Sequence, residues 1–157
     1  LRNAKKRIVI GTPYFIPSKR LLNDLTAALA RGVTLIILIP HKSDHLLVKE
    51  AAFPYFRKLL PLGALVYEFY NGFYHAKTII IDEDICDIGT ANFDKRSLFL
   101  NYEVNCYIYD QLFIKKVLKI METDIQDSRQ LTLNDVSGPN PVRICKEWLA
   151  RLLSYFL

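Results

Sequence analysis

Apolar residues fall into two kinds of run along this chain: short continuous runs, and longer stretches in which they recur every three or four positions. The first kind is typical of buried strands and the second of helices. The pattern predicts strands at 7–11, 33–40, 64–70, 75–81, 85–89 and 102–109. It predicts helices at 19–31, 43–60, 112–125 and 142–157, with Pro54 bending or dividing the second, and a loop at 127–140. We therefore expect an α/β fold with a mixed central sheet flanked by helices on both faces.

The length and composition of the chain bound its class. Its 157 residues, 51% hydrophobic and 24% charged, indicate one globular domain spanning 1–157. No apolar run approaches the roughly 20 residues needed to cross a bilayer, so we expect this piece to be soluble. The first residues lead straight into a strand without the features of a signal peptide, which suggests that the chain lies inside a larger protein.

Cysteine usage and net charge add two weaker indications. Cys86, Cys106 and Cys145 are odd in number and widely spaced, which argues against a disulfide framework or a Cys-x-x-Cys metal site. The formal net charge of +5 favours an anionic partner such as phosphate, nucleic acid or an acidic membrane surface.

Candidate chemistry lies in the segment HAKTIIIDEDICDIGTAN, which starts at position 75. Side chains two apart on a strand share a face, so His75 and Lys77 should converge. Thr90 and Asn92 follow the next predicted strand, and Gly89 should let the backbone pass close to whatever they bind. These groups suit a phosphodiester: a histidine can attack phosphorus or protonate a leaving oxygen, while an ammonium, an amide and a hydroxyl hold the non-bridging oxygens.

Such a histidine needs a carboxylate to fix its tautomer and support its charged form. Glu103, on a third predicted strand, is the best-placed candidate. The chemistry requires no metal. The pair His41 and His45 beside Asp44 has the spacing of two metal ligands on a helix, but Ser43 and Asp44 are better explained as a helix start.

The spacing His-x-Lys-x4-Asp-x6-Gly-Thr-x-Asn, from His75 through Asp82 to Asn92, resembles the HKD motif of the phospholipase D superfamily. The segments at 12–18, 29–33, 72–77 and 89–105 resemble the C-terminal half of a bacterial cardiolipin synthase. The resemblance implies one half of a phospholipase D fold.

The resemblance also implies roles for single residues. His75 is a catalytic histidine, Lys77 and Asn92 bind phosphate with help from Thr90, and Glu103 orients His75. Asp82 belongs to the motif, counts among its catalytic residues and has a structural role near the site. No cofactor and no metal is implied.

The implied reaction transfers a phosphatidyl group between two phosphatidylglycerol molecules, giving cardiolipin and glycerol through a phosphohistidine intermediate. It needs a second histidine, from an N-terminal HKD half of the same protein or from a second copy. The implied setting is a membrane surface, in a bacterial cell-membrane protein, with no nucleic acid. Two alternatives are a single-motif homodimeric phosphodiesterase or nuclease, and a non-enzymatic domain that keeps the motif as a relic. Tyr14 and Phe15 either line an acyl-chain groove or cover the sheet edge.

Overall fold

A computed structural model describes residues 1–44, 47–137 and 144–149. The strands within these ranges are Arg7–Gly11 (β1), Phe15–Ile16 (β2), Thr34–Pro40 (β3), Leu65–Phe69 (β4), Thr78–Ile81 (β5), Ile85–Gly89 (β6), Phe93–Asp94 (β7), Asn105–Ile108 (β8) and Ser128–Gln130 (β9). The helices are Lys19–Ala30 (α1), Val48–Leu59 (α2), Lys95–Phe99 (α3), Gln111–Gln126 (α4) and Leu133–Ser137 (α5), with a 3-10 turn at Leu60–Leu62. Residues 144–149 are also helical.

Seven strands form one mixed sheet in the order β8-β6-β5-β1-β3-β4-β9. β1, β3 and β4 are parallel neighbours, while β5, β6, β8 and β9 join them in antiparallel pairs. β2 and β7 form a separate parallel pair of two residues each. The predicted mixed sheet is confirmed.

The two faces of the sheet carry separate cores. On β1, Ile8 and Ile10 pack with residues of α1 and α2, whereas Val9 packs on the other face with residues of α4. The predicted helices on both faces are therefore confirmed. Within the described residues, no helix is both long and apolar enough to cross a membrane.

The helices of the first face leave part of the sheet open. α1 and α2 connect β1, β3 and β4, so the same face of β5, β6 and β8 lies beside them. A groove of about 260 Å³ runs along this region. Its lining residues from these three strands include Ile79, Ile81, Ile85, Asp87, Asn105 and Tyr107.

Two predicted strands begin later than the pattern indicated. The strand expected at 75–81 starts at Thr78, because its partner β1 ends at Gly11, which pairs with Thr78. The strand expected at 102–109 starts at Asn105, which pairs with Gly89 at the end of β6. The functional segments around positions 75 and 103 therefore lie just outside the ladders, at one edge of the sheet.

Two further expectations need correction. The helix expected from position 43 begins at Val48, and Pro54 lies inside it without dividing it, because Phe53 and Phe56 anchor both sides of the proline in the core. The loop expected at 127–140 contains β9 and α5. Most of the helix predicted at 142–157 lies outside the described residues.

Candidate active site

The predicted catalytic histidine lies where parallel strands end. β1 ends at Gly11 and β3 at Pro40, and the segment before β5 carries His75 to the same edge. The carboxyl edge of parallel strands is the usual ligand site of open α/β sheets. The side chain of His75 is 48% exposed and stacks on Phe73, with ring centroids 5.2 Å apart.

Lys77 meets His75, as its spacing predicted. Its Nζ lies 3.0 Å from His75 Nδ1 and 3.4 Å from Nε2, and donates a hydrogen bond to the His75 carbonyl oxygen at 3.0 Å. Nζ is almost equally far from Nδ1 and Nε2 of the imidazole. The ammonium therefore lies over the ring face and is not in line with the lone pair of either nitrogen. Burial lowers the pKa of Lys77, and the carboxylates of Asp44, Glu103 and Asp94 oppose that shift.

Thr90 and Glu103 form a hydrogen-bonded unit beside this pair. The Thr90 hydroxyl donates to Glu103 Oε2 at 2.5 Å and accepts from the Val104 N–H at 2.9 Å. The Asn101 amide donates to the other carboxylate oxygen at 3.1 Å. The Thr90 hydrogen bond, the largest cause, lowers the pKa of Glu103.

Glu103 does not contact His75 in the part of the chain that the structure describes. Its two oxygens are occupied by Thr90 and Asn101, so the expectation that Glu103 orients His75 is not met. The physical reason is the β6–β8 pairing, which draws Glu103 towards Thr90 at the end of β6.

Asn92 lies on the loop between β6 and β7, which is fixed to the end of β1. The Phe93 N–H donates to Thr12 Oγ1 at 3.1 Å. Asn92 hydrogen-bonds through its side chain to Asp94, whose carboxylate also caps α3 by accepting from the Ser97 N–H at 2.7 Å. Burial raises the pKa of Asp94, and these hydrogen bonds reduce the shift. The buried Oδ1 of Asn92 has no hydrogen-bond partner among the described residues.

Asp82 lies at the opposite end of β5 from His75. Ile81, its neighbour, pairs with Ile8 near the start of β1, while Thr78 pairs with Gly11 at the site. The Asp82 carboxylate accepts hydrogen bonds from the backbone N–H groups of Lys5, Lys6 and Arg7 at 2.7, 2.7 and 2.9 Å. The expectation of a position near the site is therefore wrong, and its inclusion with the catalytic residues needs correction: Asp82 holds the entry to β1.

Gly89 lies against the residues at the start of β8. A Cβ at this position would lie 2.3 Å from the Val104 carbonyl oxygen and 2.4 Å from Asn105 Oδ1. The close neighbours of this glycine are thus Val104 and Asn105, where β8 begins. Gly89 lets β6 and β8 approach, which brings Glu103 to Thr90.

Tyr14 and Phe15, which were expected either to line an acyl-chain groove or to cover the sheet edge, have different surroundings. Phe15 is 1% exposed and stacks on Phe56 and Phe93 at 5.3 Å, so it belongs to the core. The Tyr14 hydroxyl donates to Asp44 Oδ1 at 2.8 Å. Burial, together with the adjacent Asp44 carboxylate, raises the pKa of Tyr14.

Asp44 is the site residue that the sequence interpretation missed. Its Oδ2 lies 3.9 Å from His75 Nε2, although the sequence indicated only a helix start. Its place four residues beyond Pro40, the end of a parallel strand, is the signal that could have found it.

The neighbouring His41 forms part of a different cluster. It stacks on Tyr70 at 3.9 Å and contacts the buried Glu68, which also binds Lys49 Nζ at 2.6 Å. His45 lies outside the described residues. Within the described ranges no group of three or more His, Cys, Asp and Glu side chains could hold a metal ion.

Comparisons with known proteins agree with this arrangement. Residues 1–125 match the family model described as "Cardiolipin synthase, PLD-like domain". The whole chain is 50% identical to the minor cardiolipin synthase ClsB and 46% identical to the major cardiolipin synthase ClsA, both of Bacillus subtilis. It spans 39% and 33% of those two proteins.

Solved structures share the fold. Nuc of Salmonella typhimurium, described as a phospholipase D family member, superposes with a TM-score of 0.70 at 23% identity, over 83% of this chain and 84% of Nuc. The phosphatidylserine synthase of Haemophilus influenzae superposes with a TM-score of 0.79 at 17% identity, over 98% of this chain and 42% of the synthase. Fold, motif and family match converge: the chain belongs to the phospholipase D-like domain family of the cardiolipin synthases.

Proposed function

We propose that this chain is the C-terminal catalytic half of a cardiolipin synthase, an enzyme that transfers a phosphatidyl group from one phosphatidylglycerol to a hydroxyl of another and releases glycerol. The observation that carries the proposal is the His75–Lys77 pair at an open sheet edge beside Thr90 and Asn92. Identities of 50% and 46% to two cardiolipin synthases over the whole chain support it.

In the proposed mechanism His75 is the general acid and base. A histidine of the other half attacks phosphorus and forms the N–P bond, the P–O bond to glycerol breaks, and His75 gives its proton to the glycerol oxygen. The hydroxyl of the second phosphatidylglycerol then gives its proton to His75 and attacks phosphorus, which breaks the N–P bond. One glycerol leaves, and His75 is again protonated.

The remaining groups hold the phosphate. The Lys77 ammonium faces the non-bridging oxygens and offsets their charge. The Asn92 amide has a second hydrogen beyond the one directed at Asp94, and that hydrogen is the phosphate donor. Glu103 fixes the Thr90 hydroxyl, so that the Thr90 oxygen is held at the rim of the site. This ligand set needs no metal ion.

The proposed partner is a second HKD half, which covers the open face of β5, β6 and β8. The groove on this face adjoins the segment that carries Ala91 and Asn92. Next to it, the segment before β8 exposes several large apolar side chains, which a partner would remove from water. They are Leu98, Phe99, Leu100, Tyr102 and Val104.

A second candidate function is a homodimeric phosphodiesterase or nuclease, in which an identical chain supplies the second histidine. One observation favours it: the fold match covers 84% of Nuc, so a chain of this size can make up most of a phospholipase D family protein. The match to cardiolipin synthases at twice that sequence identity favours the first proposal.

The experiment is cardiolipin formation from phosphatidylglycerol vesicles by the whole enzyme that contains this chain. His75→Ala should lower the turnover about a hundredfold or more, since an acid-base group is removed, while the melting temperature stays unchanged. His41→Ala is the matched control, a histidine from the same sheet edge whose described side-chain contacts are with Glu68 and Tyr70, and it should retain most of the activity. Near-normal turnover of His75→Ala would refute the proposal.

A further inference from the structure

We propose that Asp44, anchored by Tyr14, is the carboxylate that stabilises the protonated imidazole of His75, and is therefore a positioning residue of the site. The proposal deepens the proposed function and rests on the acid-base role of His75. It replaces the sequence-based expectation that Glu103 has this part.

Geometry separates the two carboxylates. Asp44 Oδ2 lies 3.9 Å from His75 Nε2, within the range of an ion pair. The two oxygens of Glu103 accept hydrogen bonds from other partners, Thr90 and Asn101. Asp44 is therefore the carboxylate that faces the ring nitrogen in the described part of the chain.

The position of Asp44 is fixed from a second side. Tyr14 donates to Asp44 Oδ1 at 2.8 Å, and Tyr14 is itself held by its backbone N–H, which donates to Thr12 Oγ1 at 3.3 Å. The hydrogen bond holds Oδ1 of the carboxylate, and Oδ2 faces His75. The loops after β1 and β3 thus converge on the histidine.

The positive charge beside His75 calls for a carboxylate close to the imidazole. Lys77 Nζ lies 3.0 Å from the ring, and a cation this close opposes a second positive charge on the imidazole. The other charged groups, Glu103 and Asp94, act on Lys77 from further along the same edge. An anion on the Nε2 side of the ring offsets the ammonium and favours the protonated form of the imidazole.

The test is an NMR pH titration of the His75 imidazole in this chain, comparing Asp44→Asn with Glu103→Gln. Asp44→Asn should move the titration midpoint down by about 0.5–1 pH unit, a size set by a partly exposed pair. Glu103→Gln should move it by less than half as much. Asp44→Ser, which can still accept the Tyr14 hydrogen bond, serves as a second variant should Asp44→Asn fail to fold.

Activity of the whole enzyme gives an independent readout. The readout is kcat/KM for the donor lipid as a function of pH. It should fall at high pH, because His75 must be protonated for the first step. In Asp44→Asn this fall should begin at a lower pH, displaced by the same amount as the NMR midpoint. A structural role would lower the rate without moving this limb.

The outcomes are distinct. A midpoint that stays within 0.2 pH unit of the original in Asp44→Asn and Asp44→Ser, or a larger fall in Glu103→Gln, overturns the assignment of Asp44. Failure of the proposed function appears elsewhere, as full activity of His75→Ala. The NMR result stands whichever way that assay ends.

Discussion

Replacing Asp82 should destabilise the fold and leave the chemistry unchanged. Its carboxylate accepts hydrogen bonds from three backbone N–H groups before and at the start of β1, and leaving the partly buried Arg7 N–H without an acceptor is unfavourable. Asp82 has a φ of 54°, which asparagine tolerates better than alanine. Asp82→Asn keeps that preference and one acceptor oxygen, whereas Asp82→Ala loses both.

The magnitude follows from the hydrogen bonds. Each bond to a charged acceptor contributes about 1.5 kcal/mol or somewhat more, and exposure of the Lys5 and Lys6 bonds reduces this, since water replaces the carboxylate there. We expect a loss of about 1–1.5 kcal/mol for Asp82→Asn and about 2–3 kcal/mol for Asp82→Ala. In a domain of 157 residues the melting temperature should fall by about 3–5 °C in Asp82→Asn and by about 5–10 °C in Asp82→Ala.

The contribution of Asp82 to the stability of the fold should depend on pH in a defined direction. Burial alone would raise the pKa of Asp82, but the hydrogen bonds from the backbone N–H groups of Lys6, Lys5 and Arg7 outweigh it, and the net shift is downward. A carboxyl whose pKa is lowered on folding stabilises the fold above its ordinary value and loses that contribution as the pH falls through the lowered one. The difference between the original chain and Asp82→Asn should therefore be full at neutral pH and shrink below pH 3.8, the ordinary value.

The assay is thermal unfolding of this chain followed by circular dichroism, with cardiolipin formation by the whole enzyme measured well below the melting temperature. The matched control is Asp84→Asn, in the same turn, whose exposed side chain has no described partner; it should change the stability by no more than about 0.5 kcal/mol. A large fall in turnover for Asp82→Asn, with an unchanged melting temperature, would return Asp82 to the catalytic group and refute the reasoning.

Three further predictions concern the site. Gly89→Ala, which drives a Cβ against the Val104 carbonyl oxygen, should lower the melting temperature by at least about 5 °C and the activity with it; an unchanged melting temperature in the same unfolding assay would count against the close β6–β8 approach. Thr90→Val should lower turnover about tenfold with the fold kept, because Glu103 and the Val104 N–H lose their partner, while Thr90→Ser should restore most of it; equal losses in both variants would mean that the hydroxyl is not the reason. Because the proposed ligands of the phosphate are side chains of the protein, prolonged EDTA treatment should leave cardiolipin formation intact, and loss of activity that Mg²⁺ or Zn²⁺ restores would contradict the histidine mechanism.

The order of the main elements was predictable because most carry strong hydrophobic patterns. β9 was missed because Ser128–Gln130 is a short polar strand at the sheet edge, with no apolar face to mark it. β2 and β7 were missed because each has only two residues, too few to show an alternation of apolar and polar positions. The late start of β5 was not predictable either, since it is set by where its partner β1 ends.

In the site, contacts between residues close in sequence were predictable, and contacts between distant segments were not. The proximity of His75 and Lys77 follows from two residues of sequence. The pairing of Thr90 with Glu103 depends on the register Gly89↔Asn105, which the hydrophobic pattern does not encode. The approach of Asp44 to His75 depends on two loops from different strands meeting at one edge.

The central claim is that this chain supplies one of two histidines to a shared site. Cardiolipin formation by the purified 157-residue chain, measured against its concentration with and without the first half of the enzyme, tests it most directly. The account predicts near-zero specific activity for the monomer, restoration by the first half, and loss of that restoration in His75→Ala. Strong activity from a species that light scattering shows to be monomeric, abolished by His75→Ala, would contradict the account and require a second acid-base group within this chain.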